Sequence, residues 1–154
     1  MASLTNMLPT EVAAVVGAID PDAYTAAAYS TGWIAMDDFR RFCAIVMAGT
    51  LGSSATIDAK LTAATDSSGT GAADITGAAI TQLTQADSDS DQQAIINLNT
   101  ATGFLAGSAY THFRLTVTVG TATSDMGAVV LGFDAPYMPA SDSDASTVDE
   151  IVSV

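Results

Sequence analysis

The stretch His112-Phe113-Arg114-Leu115-Thr116-Val117-Thr118-Val119 alternates polar and apolar residues without a break. A strand turns successive side chains to opposite faces. Phe113, Leu115, Val117 and Val119 are therefore expected on a core, and His112, Arg114, Thr116 and Thr118 in water. Ala55, Ile57, Ala59 and Leu61 alternate in the same way with Thr56, Asp58, Lys60 and Thr62, and Val129, Leu131 and Phe133 mark a further strand. The run Phe42-Cys43-Ala44-Ile45-Val46-Met47 is apolar on both faces, which predicts a central strand covered on each side. Shorter candidates are Ala23–Ala28, Trp33–Met36, Ala79–Leu83 and Gln93–Asn99.

Clusters of turn-formers separate these runs: Ser30-Thr31-Gly32, Gly49–Ser54, Asp66–Gly71, Asp87–Asp91 and Gly120–Gly127. About eight short strands spaced by such clusters predict an all-β fold, an antiparallel β-sandwich of jelly-roll-like form. The sandwich is placed at residues 23–137. Residues 1–22 form either a short helix, capped by Thr10 and stopped by Pro21, or an extended arm favoured by the β-branched Val12, Val15, Val16 and Ile19. Residues 138–154 read as an acidic C-terminal arm, opened by Pro139-Ala140-Ser141-Asp142-Ser143-Asp144.

With 154 residues the chain has the length of one domain, and 49% hydrophobic residues supply a core. Seventeen acids against four bases leave a net charge of −13. Nucleic-acid binding by phosphate neutralisation and docking on an anionic membrane both need clustered Lys and Arg, so neither partner is expected. Fifteen of the acids are Asp, which favours turns over helix surfaces. The lone Cys43 allows no internal disulfide and no Cys-based zinc site. The apolar run from Val12 to Ile19 follows Glu11 and no basic residue, unlike a secretory signal, and no run of about 18 apolar residues suggests a membrane span. A soluble protein is expected.

The motifs that could carry chemistry fall short. Asp87-Ser88-Asp89-Ser90-Asp91 opens like a calcium loop, but Gln92 stands where the turn needs Gly and Leu98 where a bidentate Glu is needed. Asp142 and Asp144 lie in a Ser- and Ala-rich tail with nothing to push their pKa values apart. His112 could act as a base oriented by Asp125 or Asp134, but no nucleophile motif accompanies it. Cys43 sits in the most apolar run and behaves there as a small hydrophobe. Gly69-Thr70-Gly71 lacks the Gly-Lys-Ser/Thr ending of a phosphate loop. No catalytic, cofactor-binding or metal-ligating residues are therefore assigned, and an enzyme is not expected.

The basic pair Arg40-Arg41 follows Asp37-Asp38 and sends its side chains to opposite faces, as an ion pair at a strand entry or as an anchor to a partner's carboxylates. Trp33, Tyr24, Tyr29, Tyr110 and Tyr137 could form an aromatic platform for carbohydrate, although Trp33 is expected in the core. Thr-rich strands with few basic edge blockers favour assembly.

The segment Tyr29-Ser30-Thr31-Gly32-Trp33-Ile34-Ala35-Met36-Asp37-Asp38-Phe39-Arg40-Arg41 resembles one found in small proteins encoded among tailed-phage and prophage head genes. Gly49-Thr50-Leu51-Gly52, then Ala55-Thr56-Ile57-Asp58-Ala59-Lys60-Leu61, continue the likeness, with Thr62 in place of the usual Gln. Asp74–Leu83 and Tyr137-Met138-Pro139-Ala140-Ser141-Asp142 extend it, so that it runs from about residue 24 to the end. The resemblance implies a virion structural protein similar to capsid decoration (cement) proteins. Such a protein is made in the host cytoplasm and placed on the outer head surface. Its implied partners are the major capsid protein and its own copies, as a homotrimer. Arg40, Arg41, Trp33, Tyr137 and Pro139 are the expected interface residues. The alternatives are a phage tail or fibre component and a carbohydrate-binding β-sandwich module.

Overall fold

The structure is a computed structural model and describes residues 6–153. It is almost entirely β. The long strands are β1 (Ala13–Tyr24), β2 (Ala27–Ser30), β4 (Arg41–Ala48), β5 (Thr56–Ala64), β6 (Ala73–Ala79), β8 (Gln93–Asn99), β9 (His112–Gly120) and β10 (Ser124–Phe133). Two-residue strands β3 (Ile34–Ala35) and β7 (Leu83–Thr84) complete the set. One sheet has the order β1-β10-β4-β8 and the other β2-β9-β5-β6, with β3 added on β9 and β7 on β5. All pairs are antiparallel.

Among the eight long strands, the first pairs with the last, the second with the seventh, the third with the sixth and the fourth with the fifth. A long hairpin rolled up on itself gives this order, which is that of a jelly roll. The expected fold is therefore the observed one.

The alternation that predicts β9 places Phe113, Leu115 and Val117 at zero exposure, in one core cluster with Phe42, Val46 and Val130 of the other sheet. The Phe42 ring meets Phe113 edge-on at 4.6 Å and Phe39 at 6.0 Å between centroids, a geometry that aromatic quadrupoles favour. Gly132 on β10 makes room for this cluster, since a Cβ there would lie 2.6 Å from the Phe39 ring.

Several boundaries differ from the expected ones. The helix predicted up to Ile19 is confined to Pro9–Val12, and from Ala13 the chain is an edge strand paired with β10. Val15, Val16 and Ile19 favour that state, and Pro21 sits at a register shift, where a missing N–H costs no ladder bond. Residues 13–22 thus belong to the sandwich and not to an arm; residues 1–5 lie outside the described residues. The strand expected at Ala79–Leu83 lies instead at Ala73–Ala79, where Asp74 and Gly77 mask the buried Ile75 and Ala78. The Gly120–Gly127 turn is shorter than its composition suggests, because β10 begins at Ser124.

Candidate interaction surfaces

The two outer faces of the sandwich differ in chemistry. On the β2-β9-β5-β6 sheet, register aligns Ser30, Thr116 and Lys60 in one row and Ala28, Thr118 and Asp58 in another. These groups are paired among themselves. Ser30 Oγ hydrogen-bonds Thr116 Oγ1 at 2.8 Å, Lys60 Nζ donates to Asp74 at 2.7 Å, and Gln82 donates to Asp58 at 2.7 Å. Lys60 and Thr62 hold the Asp74 carboxyl below its usual range by hydrogen bonds and charge.

The β1-β10-β4-β8 sheet presents the opposite character. Its outward rows run Val15-Leu131-Cys43-Asn97 and Ala18-Val129-Ile45-Ile95, with Met47 and Gln93 in the next row. β4 was expected to be covered on both sides, but among the described residues no helical layer lies over it, so Cys43 and Ile45 are half-buried and Met47 is 47% exposed. Ile95 is 59% exposed. Single exposed apolar residues are ordinary; contiguous rows of them mark contact surfaces.

Arg41 ends this face. Its guanidinium forms a two-point ion pair with Asp134, Nη2 lying 2.8 Å from Oδ1 and Nε bound to Oδ2. The pair holds the Asp134 carboxyl below its usual range, with Arg40 adding a smaller effect. The acid that Arg41 meets is thus beyond β10 and not in Asp37-Asp38. Between Arg41, Cys43, Asn97, Asn99 and Phe133 lies a shallow groove of about 550 Å³. Arg40 is exposed, and its carbonyl accepts the N–H and hydroxyl of Thr100 at 3.1 Å each. Tyr137 is 84% exposed in the loop after β10, next to the exposed Met138 and Pro139.

Trp33 lies on the other sheet and not in the core. Its half-buried ring packs against Gly69, and the Arg114 guanidinium carbon lies 4.6 Å from the ring centroid. The Nε of Arg114 is buried and has no hydrogen-bond partner among the described residues. Trp33 and Arg41 therefore belong to different surfaces. The proposed platform aromatics are likewise separated: Tyr24 packs on Tyr29, Tyr110 stacks on Phe104, and Tyr137 stands alone.

The chemically suggestive residues have local partners. Thr84 donates through its hydroxyl to Asp87 at 2.7 Å and through its N–H to Asp89 at 2.9 Å. His112 Nδ1 hydrogen-bonds Thr111 Oγ1 at 2.8 Å, and no described hydrogen bond joins His112 to Asp125 or Asp134. Among the described residues no cluster of three or more His, Cys, Asp or Glu could hold a metal ion.

Sequence reasoning missed the edge of β1. Asp144 Oδ1 accepts the Val15 N–H at 2.7 Å, and the Ala145 N–H donates to the Val15 carbonyl at 2.6 Å. The tail beyond them places Val148, Ile151 and Val152 around a cleft shared with Val15 and Leu131. Compared with protein-family models and with curated proteins, the chain matches none.

Proposed function

We propose that this chain is a virion structural protein, a decoration or cement protein that lies on the outside of a phage head and braces neighbouring major capsid subunits. The observation that supports this reading is the asymmetry of the two outer faces. The β2-β9-β5-β6 face is hydroxyl-rich and internally paired, as suits permanent exposure to water. The β1-β10-β4-β8 face carries Ile45, Met47, Val129 and Ile95 with no layer over them among the described residues, as suits docking on a large surface. Strand spacing gives this face a footprint on the order of 400 Å², about half of what one partner contributes to a standard interface. One such contact is weak, but an array of copies on a shell holds through multivalency. The charge of −13 fits a site outside the shell, away from packaged nucleic acid. The resemblance of the Tyr29–Arg41 segment to phage head-gene products supports the same reading.

The test is co-sedimentation of the purified chain with heads that lack it. Binding is expected for the natural chain and is lost when Met47→Glu places a charge on the apolar face. Binding unchanged by Met47→Glu would assign docking to another surface, and no binding to heads would reject the decoration role.

A further inference from the structure

We propose that two copies of this chain pair through β8, edge to edge and antiparallel, about a two-fold axis at Ile95. β8 closes one side of its sheet, and among the described residues β4 is its one strand partner. The Ala48 N–H donates to the Gln92 carbonyl at 2.9 Å and the Thr100 N–H to the Arg40 carbonyl at 3.1 Å. In an antiparallel ladder the bonded positions alternate, so Gln92, Ala94, Ile96, Leu98 and Thr100 direct their backbone groups to β4. Gln93, Ile95 and Asn97 direct theirs outward. No backbone hydrogen bond outside the ladder uses these three among the described residues.

Open edges are normally defended, and the other three edges here are. β1 is capped at Val15 by Asp144 and Ala145, and further along it carries Asp20, Pro21 and Asp22 and two register shifts. β6 carries the charged Asp74 and the left-handed Gly77, and its pairing with β5 is broken by a register shift. β2 has only four residues. β8 has seven residues with no charge, no Pro and no Gly, in a chain with seventeen acids. Nothing on it repels a second copy.

The edge also complements itself. With the axis at Ile95, each Gln93 faces Asn97 of the other copy, and Ile95 faces its own equivalent. Three facing pairs exchange two backbone hydrogen bonds each, and the side chains brought together are amide on amide and isoleucine on isoleucine. One residue further out, Asp91 faces Asn99 of the other copy, so no carboxylates are set against each other. The product is a continuous eight-stranded sheet whose apolar outer face is doubled, to on the order of 800 Å². An isologous contact closes at two copies, so the species in solution is a dimer in place of the trimer implied by the resemblance. This contact does not depend on the decoration role, since it forms whether or not the chain meets a shell.

Light-scattering mass of the full chain at near-physiological salt tests it. A mass of two chains is expected, falling to one chain in Ile95→Lys with the circular-dichroism strand signal kept. A second measurement fixes the register and does not depend on the folding of that variant. In a Cys43→Ala background, oxidised Ile95→Cys is expected to give a reducible two-chain band, whereas Asn97→Cys, which faces Gln93, gives none. A monomeric or trimeric natural chain, a dimer unmoved by Ile95→Lys, or equal cross-linking of the two cysteine variants would each overturn the proposal.

Discussion

The carboxylate of Asp144 is bound to the main-chain N–H of Val15, 129 residues earlier in the chain, at 2.7 Å. With the adjacent Ala145–Val15 bond it turns the C-terminal segment into a cover for the β1 edge. Such a cover stabilises an edge without being part of the core. Deleting residues 141–154, which leaves the buried Ala140 in place, is expected to leave the strand signal intact and lower the melting temperature by several degrees. Asp144→Ala alone should cost about 1 kcal/mol, or about 2–4 °C for a domain of this size. Thermal melts followed by circular dichroism decide this, and a truncated chain that melts with the intact one would show that the tail is not docked.

Trp33 is the sole tryptophan, so its fluorescence reports one place in the fold. Gly69 has φ +85°, and a Cβ there would lie 2.7 Å from the Trp33 ring. Gly69→Ala is expected to cost about 1–2 kcal/mol from the backbone conformation alone. It should also push the ring off Gly69 and away from Arg114, shifting the emission to the red. An unchanged spectrum in a folded variant would contradict the packing of Trp33 on this loop.

The Arg41–Asp134 pair has a defined pH signature. Asp134 ionises below the usual carboxylate range in the folded chain because Arg41 donates to it and carries the opposite charge. Its contribution to stability is therefore present above the unfolded-state pKa and is lost as pH falls through the depressed folded-state value. Both side chains are substantially exposed, so solvent screening keeps the contribution small. Arg41→Ala should lower the melting temperature at neutral pH and have a vanishing effect once Asp134 is protonated. A difference that persists undiminished in strong acid would assign the effect of Arg41 to packing over Phe133 or Cys43 instead.

The fold was legible where residues alternate without interruption. β5 and β9 show their buried faces directly, and β8 was placed at its observed ends because Gln93, Ile95, Asn97 and Asn99 stand against Ile96 and Leu98. β1 was obscured because its apolar residues cross two register shifts, so no single period describes Ala13–Tyr24. β6 was hidden by Asp74 and Gly77, which are poor strand formers carried by an edge.

The surfaces were less legible than the fold. Arg41 was singled out, but its acid lies 93 residues away and only the β4–β10 pairing brings the two together. Trp33 was expected inside because a lone tryptophan usually is, and the close approach of Gly69 that instead shapes its site has no local sequence signal. The apolar outer face was written in Phe42–Met47 from the start. Whether a second layer covers an apolar strand depends on the rest of the chain, and among the described residues the one α-helix is the four-residue Pro9–Val12, too short to cover a sheet.

The most direct test of the decoration role is a cryo-electron-microscopy map of particles purified from the source of this gene. The account predicts jelly-roll density on the outer head surface, with the β1-β10-β4-β8 face turned toward the coat and the hydroxyl-rich face toward solvent. Density for this chain in the tail, or none in the particle, would contradict it.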